Sequence, residues 1–412
     1  MSRQRKAISN ACVNLGQFDK GMKGAAIKES IMYLRKQDTE TALSILQKAN
    51  TFIRKIKIAP IGSDVMNKKE FDKVFSKDIE EIKESDIKIK NSISNSIALN
   101  KPDIKRYNIL FKDKTRKDVV VKHKSNKIVS RGIKLLSCND FKTRLDLIIN
   151  HKILGFNKSC EREIFIYSNI DSKLKKYFIN FYGYTKKHGD SYMVLDYIEN
   201  NNKINHKKII DALIEIHTFY YGKDYIVNTL KLNNYTPNDY KRCKRALMKM
   251  FKKLDNNMFS KTRLSNIENF ILNIDGYYNK YSYHKTLTHN DFSLRNIFVN
   301  NNTLYFYDWE LATFQNPEHD LVEFLIYNLK NMADDEILET IDYYRDKLLK
   351  NLNIKISQKE YSEIVKFNIY EFLVNKLTLL RLANLKFKYK EINELIVNVD
   401  RILDLVGDID NG

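Results

Sequence analysis

The feature that most restricts the fold is a single block of strand-like sequence lying between segments with helical spacing. From about residue 86 to 125, "DIKIK", "RYNILF" and "DVVVKHK" have the pattern of strands, and Asn/Ser-rich or Lys/Asp-rich turns separate them. "CEREIFIYSNI" then predicts a helix, and "YFINFYGY" and "SYMVLDYI" predict two further strands. A small antiparallel sheet with one inserted helix forms a lobe of its own, which indicates the α+β class.

Helical spacing dominates on both sides of this block. Residues 1 to about 60 predict a helical hairpin, and Pro60 and Gly62 mark its end. A short helix follows, opened by Asn67 and Glu70 in a capping-box pattern. Its apolar face is predicted to hold Phe71, Val74, Phe75, Ile79 and Ile82. After the sheet, helices are predicted at 208–222 and at about 319–331, 334–350, 358–384 and 389–406.

This order predicts three parts. They are a helical N-terminal extension (1–65), a small sheet lobe (66–198) and a large helical lobe (199–412), and a cleft between the two lobes would hold a ligand. With 412 residues, of which 43% are hydrophobic, the chain can fill such cores. No run approaches the 18 apolar residues of a membrane span, and "MSRQRKAISNACVNLG" lacks the apolar core of a signal peptide. Four scattered cysteines without CxxC spacing argue against a zinc or disulfide framework. We therefore expect a cytoplasmic protein.

The net charge of +20 is unevenly distributed. Residues 312–412 hold 13 Lys and Arg against 18 Asp and Glu, a net charge of −5, so the first 311 residues carry +25. A basic front could contact phosphate groups, an anionic membrane surface or nucleic acid. The Lys-rich and Asn-rich usage of an AT-rich genome explains the same bias without any partner, and we expect no specific nucleic acid.

The segment "THNDFSLRNIFVNNNTLYFYDWE" (288–310) concentrates polar groups around a predicted β-hairpin. Its strands are "IFV" and "LYFY", and the Asn-rich turn between them suits positive φ angles. Asn296 immediately precedes the first strand and Asp308 immediately follows the second. An antiparallel hairpin brings these two positions to one end, where an amide and a carboxylate oxygen suit Mg²⁺. Asp291 lies on the loop that leads into the same end.

A carboxylate beside a metal-held phosphate is what phosphoryl transfer requires. It orients an attacking hydroxyl and accepts its proton, while the metal offsets charge on the transferring group. The same residues are also typical of loop caps and turns, so the motif His-x-Asp-x4-Asn alone only suggests this chemistry.

"HNDFSLRNIFV", "YFYDWELA" and "PEHDLVEFLIY" resemble the Brenner-type motif and metal-binding strand of the aminoglycoside phosphotransferase and choline kinase-like family. This resemblance implies the two-lobe fold of the protein kinases. It implies that His289 is the structural histidine of the catalytic loop and Asp291 the catalytic base. By the same resemblance Asn296 and Asp308 are Mg²⁺ ligands, and Asp320 anchors the next helix.

The resemblance extends upstream over roughly residues 86–330. It implies that Lys122, at the end of "DVVVKHK", holds the phosphates of ATP or GTP. Glu163 occupies the place of the helix glutamate that pairs with this lysine, and Glu161 remains the alternative. The backbone of the hinge from Asp196 to Ile198 would bind the base of the nucleotide.

The sequence departs from the family pattern at the phosphate loop. "NSISNSIAL" (91–99) stands where a glycine-rich loop is expected, so Ser94 and Asn95 would contact phosphate through hydroxyl and backbone N–H groups. A Walker-type P-loop is absent. "DWE" replaces Asp-Phe-Gly, and no Ala-Pro-Glu follows, which makes a small hydroxyl compound or glycan a better acceptor than a protein.

The predicted function is therefore an ATP-dependent or GTP-dependent, Mg²⁺-requiring phosphotransferase with an alcohol group as acceptor. The acidic and aromatic C-terminal helices would suit an aminated compound or a sugar. One alternative is a kinase of a lipid-linked, capsular or cell-surface glycan sugar, and another is a catalytically silent kinase-like binding or scaffold protein. The basic N-terminal helices could mediate a dimer or peripheral contact with the inner face of an anionic membrane.

Overall fold

In the computed structural model, residues 66–85, 104–125, 130, 132–134, 136–137, 140–199, 205–254, 256–387 and 391–408 are described. The predicted N-terminal extension, the strand "DIKIK", Ser94 and Asn95 lie outside these residues. So do Cys12 and Cys138, whereas Cys160 and Cys243 are buried free thiols. Among the described helices, none combines the length and apolar character needed to cross a membrane.

The small lobe is built on a five-stranded antiparallel sheet with the strand order β1-β2-β3-β5-β4. Its strands are β1 (Ile79–Ser85), β2 (Ile104–Phe111), β3 (Arg116–Lys124), β4 (Phe181–Lys187) and β5 (Asp190–Asp196). The predictions for "RYNILF", "DVVVKHK" and "SYMVLDYI" are confirmed as β2, β3 and β5. The strand predicted from residue 177 begins only at Phe181, because Ser172–Tyr177 forms a 3₁₀ turn.

Helix α1 (Lys68–Phe75) has the predicted capping box, in which Asn67 and Glu70 satisfy each other's backbone N–H groups. The prediction that its face extends to Ile79 and Ile82 is wrong. Ser76 takes a left-handed conformation with φ of 50° and ends the helix, so both isoleucines belong to β1. Ile79 is nevertheless fully buried, since helix and strand fill the same small core.

The two faces of this sheet have different partners. One face forms the core of the small lobe, with Val119 and Val121 of β3 packed beside α1. Because side chains alternate along a strand, Val120, Lys122 and Lys124 lie on the other face. On that face Met193 and Leu195 of β5 join the large core of the protein. The strand therefore directs its lysines towards the boundary between the lobes.

Two helices lie between β3 and β4 in the chain, α2 (Phe141–Ile149) and α3 (Ser159–Asn169). Helix α3 confirms the predicted inserted helix. Helix α2, which no sequence pattern indicated, packs on the large lobe: Leu147 shares a core with Met250 and Leu382. The described residues between β3 and β4 thus contact both lobes, and the division at residue 198 stays a proposal.

The large lobe is mainly helical. Its described helices are α4 (His206–Tyr220), α5 (Ile226–Thr229), α6 (Pro237–Lys252), α7 (Lys261–Tyr281), α8 (Glu318–Asn328), α9 (Asp334–Leu352), α10 (Gln358–Phe372), α11 (Thr378–Phe387) and α12 (Glu391–Val406). A π-helical turn (Leu373–Leu377) joins α10 to α11. The predicted two-lobe α+β architecture is confirmed.

Two short strand pairs position the segment around residue 300. Strands β6 (Thr286–Thr288) and β9 (Thr313–Gln315) are antiparallel, and so are β7 (Ile297–Asn300) and β8 (Thr303–Phe306). The first pair joins the two ends of the segment, and the second is the predicted hairpin. Residues 289–296 and 307–312 therefore lie side by side.

Candidate functional site

The hairpin has the geometry that its sequence predicts. Asn300 pairs with Thr303, which leaves Asn301 and Asn302 as a two-residue loop with φ angles of 48° and 63°. Positive φ at both positions is the type I′ turn that suits the twist of two antiparallel strands. At the other end, the amide of Tyr307 donates to the carbonyl of Asn296 at 2.8 Å. Asn296 and the residue after Tyr307, Asp308, therefore meet at one end.

Asp291 is held from two sides. The Asn296 amide nitrogen donates to the Asp291 carbonyl at 2.8 Å and to its carboxylate Oδ2 at 2.9 Å. The other carboxylate oxygen, Oδ1, lies 2.7 Å from the ammonium of Lys376. Lys376 was not predicted to take part in the site. Its contact shows that the large lobe supplies a charged partner to the predicted base.

His289 is fully buried and forms part of the framework of the loop. Its backbone N–H donates to Asp320 at 2.6 Å, its ring contacts the Tyr307 carbonyl through Nε2, and it packs on Trp309. Asp320 also accepts from the backbone of Asn290 at 2.9 Å. These contacts tie the loop to helix α8 and to the segment between β8 and Asp308.

The lysine of β3 contacts its predicted partner, Glu163, and also Asp308, which was predicted only as a cation ligand. The ammonium of Lys122 lies 3.0 Å from the Glu163 carboxylate and 2.6 Å from the Asp308 carboxylate. Glu163 is buried on the inner face of α3, whereas Glu161 is exposed. Of the two glutamates, Glu163 is the one that contacts Lys122 in the structure, and its part in holding a nucleotide stays a prediction.

A second lysine, Lys124, belongs to the same cluster. Its ammonium lies 2.5 Å from Glu163 and 2.5 Å from Glu310, and 3.8 Å from Asp308. Glu310 had no predicted role. The signal for Lys124 was available in the sequence, because residues two apart in a strand share a face.

Opposite charges outweigh burial in most of this cluster. Burial disfavours the charged form of Lys122, but Asp308 and Glu163 raise its pKa above the ordinary lysine value. Burial likewise opposes ionisation of Asp308, yet Lys122 and Lys124 hold the pKa of its carboxyl well below the usual range. For Glu310 burial prevails and raises the pKa. The Lys122–Asp308 contact is therefore an ion pair at neutral pH.

Three carboxylates of this cluster lie close enough together to share a cation, and Lys122 and Lys124 contact the same three groups. Oxygen atoms of Glu163, Asp308 and Glu310 lie within 4.8 Å of one another. The Asn296 nitrogen is directed at Asp291, which leaves its amide oxygen for a cation. Hard oxygen donors of this kind suit Mg²⁺. Asp308 itself has a φ of 61°, a region uncommon outside glycine and often found at functional sites.

Helix α3 also braces the backbone beyond Asp308. The fully buried guanidinium of Arg162 donates to the carbonyls of Glu310, Asn157 and Gly155, the last at 3.2 Å. Burial lowers the pKa of this arginine to about 10, which still leaves it charged at neutral pH. One helix therefore supplies both the glutamate for the lysines and the arginine that fixes the Asp308–Glu310 segment.

The predicted hinge lies at the end of β5. The Asp196 side chain accepts hydrogen bonds from Asn180 at 2.6 Å and from Tyr182, so it is engaged within the sheet. Ile198 is half-buried and packs against the large core. The nucleotide-binding roles of both residues, like those of Ser94 and Asn95, stay predictions.

A family model described as "Phosphotransferase enzyme family" matches residues 239–346, which include the loop 289–296, the hairpin and Asp320. The predicted resemblance to this family is therefore confirmed over that segment. No curated protein matches the sequence.

Three of the matching solved structures are kinases, each with a TM-score below 0.5. Choline kinase LicA from Streptococcus pneumoniae is 12% identical with a TM-score of 0.43, over 82% of this chain and 96% of that one. LicA in complex with AMP is 14% identical with a TM-score of 0.44, over 82% and 96%. Aminoglycoside phosphotransferase APH(4)-Ia is 10% identical with a TM-score of 0.44, over 82% and 97%.

Proposed function

We propose that this protein is a small-molecule kinase, which transfers the γ-phosphate of ATP or GTP to a hydroxyl group of a small compound or sugar. The observation that carries the proposal is the Lys122–Asp308 contact of 2.6 Å. It joins the sheet lobe to the end of the hairpin where Asn296 holds Asp291. The site would thus combine the three kinds of group that phosphoryl transfer requires: a phosphate-binding lysine, cation ligands and a base.

The chemistry follows from the positions of these side chains. The Asp291 carboxylate orients the acceptor hydroxyl and takes its proton as the oxygen–phosphorus bond forms. The bond from the γ-phosphorus to the β-phosphate oxygen breaks, and ADP or GDP leaves. Lys122 and Lys124 offset the negative charge of the phosphates, and Glu163 keeps both ammonium groups forward. Asn296, Asp308 and Glu310 would hold Mg²⁺, which supplies charge neutralisation at the transferring group.

The acceptor is the second substrate of the proposed reaction. The buried acids near Asp291 are already paired, Glu323 with Lys376 and Glu371 with His319. An aminated acceptor would therefore need other acidic groups of the helical lobe as partners. A neutral sugar or polyol needs no acidic partner. A glycan sugar remains within the proposed class.

The test is release of ADP or GDP by the full-length chain with Mg²⁺, across aminoglycosides, choline, sugars and nucleosides. We expect at least one acceptor to stimulate release. Asp291→Asn should lower the rate by about 10²-fold to 10⁴-fold, because it removes the base. Asp275→Asn, which alters the pair of Asp275 on α7 with Lys244 on α6 (3.2 Å), is the control and should keep the rate. Binding of nucleotide without any release would instead support the silent kinase-like protein.

For the N-terminal extension (1–65) we propose contact with an anionic surface, because it holds 12 Lys and Arg against 5 Asp and Glu, a net charge of +7. Full-length protein should co-sediment with anionic liposomes at low salt, and 0.5 M salt should release it, because the attraction is screened. Equal sedimentation with neutral liposomes would contradict this. A concentration-dependent change in mass without liposomes would favour the alternative of a dimer.

A further inference from the structure

Lys376 lies in the π-helical turn between α10 and α11, on the large-lobe side of the site. Its ammonium is 2.7 Å from the Asp291 carboxylate, 2.7 Å from the Glu323 carboxylate and 2.9 Å from the Asn290 carbonyl. An ammonium has three hydrogens, so these contacts use all of them. π-Helical turns occur frequently at functional sites, because the extra residue shifts the side chains that follow.

The contacts of Lys376 complete the fixation of Asp291. Asn296 donates to Oδ2 and Lys376 contacts Oδ1, so each carboxylate oxygen has one partner. Each oxygen has a second lone pair for an incoming hydroxyl. The two contacts prevent rotation of the carboxylate. A carboxylate that is already oriented lowers the activation barrier, because no entropy is lost in aligning it with the hydroxyl proton.

Lys376 is itself fixed from behind by buried charge. Glu323 on α8 is fully buried, and its other oxygen accepts from the backbone N–H of Phe292 at 2.6 Å. His319, one turn earlier on α8, lies 3.6 Å from Glu323 and 3.0 Å from Glu371 of α10. Two large-lobe helices therefore hold the lysine, and the same glutamate holds the loop that carries Asp291.

We propose that Lys376 is a positioning residue of the phosphoryl-transfer centre, which fixes the Asp291 carboxylate towards the acceptor hydroxyl; this rests on the proposed function. The loop "HNDFSLRN" contains no lysine, so the ammonium group beside Asp291 comes from the π-helical turn. Lys376 acts through Asp291 and binds neither the nucleotide nor the acceptor. Its removal should lower kcat and leave nucleotide binding intact.

The experiment compares full-length wild type with Lys376→Met, Lys376→Arg and Lys366→Met. Lys366 is a matched control: it lies on α10, is as buried as Lys376 (13% against 15% exposed) and pairs with Glu363 at 2.7 Å away from the site. ADP release is measured with Mg²⁺, ATP and the best acceptor of the panel, and with water. We expect Lys376→Met to lower kcat about 10²-fold with little change in the KM for ATP or in the Kd for ADP. Lys376→Arg should retain more activity, and Lys366→Met should match wild type.

A fourth variant separates positioning from folding. Lys376→Met leaves Asp291 and Glu323 facing each other, which lowers stability; Lys376→Met with Glu323→Gln removes that repulsion. Recovery of Tm without recovery of kcat supports positioning. If kcat recovers together with Tm in the double variant, the positioning role is overturned and the kinase function stands. The same holds if Lys376→Met has the kcat of Lys366→Met in an active protein. Wild-type protein that releases no ADP under any condition overturns both.

Discussion

Glu163 and Glu161 are two residues apart on α3, and only Glu163 contacts Lys122 and Lys124. We expect Glu163→Gln to weaken ATP binding and to lower the free energy of unfolding by about 3 kcal/mol, because it breaks a buried charge cluster. Glu161→Gln is the control on the exposed face and should stay within about 0.5 kcal/mol of wild type. Urea denaturation and the KM for ATP measure the two effects.

Equal stability and equal KM for the two glutamine variants would contradict this assignment. A loss of stability with an unchanged KM would be equally informative. It would keep the ion pair as a structural element and remove its proposed part in holding phosphate.

At this scale, the sequence identified residues whose partners are close in the chain. Asp291, Asn296 and Asp308 were found because a short loop and a hairpin bring them together. Lys376 could not be placed in the same way, since its contact with Asp291 depends on helix packing across the large lobe. A weaker signal existed in "FLVNKLTLL", where one lysine interrupts an apolar stretch, and a charge in such a stretch needs a buried partner.

At the scale of elements, the β7–β8 hairpin depends on its turn. Asn302 has a φ of 63°, which glycine adopts freely and a β-branched residue resists. We expect Asn302→Val to lower the free energy of unfolding by about 1–2 kcal/mol. Asn302→Gly is the control and should change it by less than about 1 kcal/mol. Urea denaturation measures both, and a valine variant as stable as the glycine variant would exclude the turn as a determinant of the hairpin.

Helix and strand types were more predictable than their ends. The α1 prediction ran into β1 because Ile79 and Ile82 continue a helical spacing, and nothing in the sequence marked Ser76 as a left-handed end. Helix α2 was not recognised. Its sequence "FKTRLDLII" buries Leu145 and Leu147, but nine residues are too few for a clear periodicity.

At the scale of the whole molecule, the order of small sheet, inserted helix and helical lobe followed from the change of period along the chain. The packing of α2 on the large lobe did not, because it depends on contacts between residues about 100 positions apart, such as Asn150 with Met250. The charged cluster of Lys122, Lys124, Glu163, Asp308 and Glu310 likewise depends on contacts between residues far apart in the chain. It forms where β3, α3 and the segment after β8 meet, and only the folded chain brings these three elements together.

Because that cluster joins the two lobes, ligand binding there should stabilise the whole protein. Mg²⁺ with ADP at 100 times its Kd adds about 2.7 kcal/mol to the free energy of unfolding, which should raise Tm by several degrees. EDTA should reduce this rise, since the carboxylates alone would repel the nucleotide phosphates. Differential scanning fluorimetry with and without Mg²⁺ measures the difference.

Asp308→Asn is the variant that tests this coupling. Asparagine tolerates the left-handed conformation of residue 308, so the change removes charge with little backbone strain. We expect its Tm rise with Mg²⁺ and ADP to fall to the value that wild type shows in EDTA. Asp275→Asn, which alters a large-lobe ion pair, should keep the full rise. If Asp308→Asn retains the Mg²⁺-dependent rise, the cation is held elsewhere, and the hairpin end is then a structural junction between the lobes instead of the metal site.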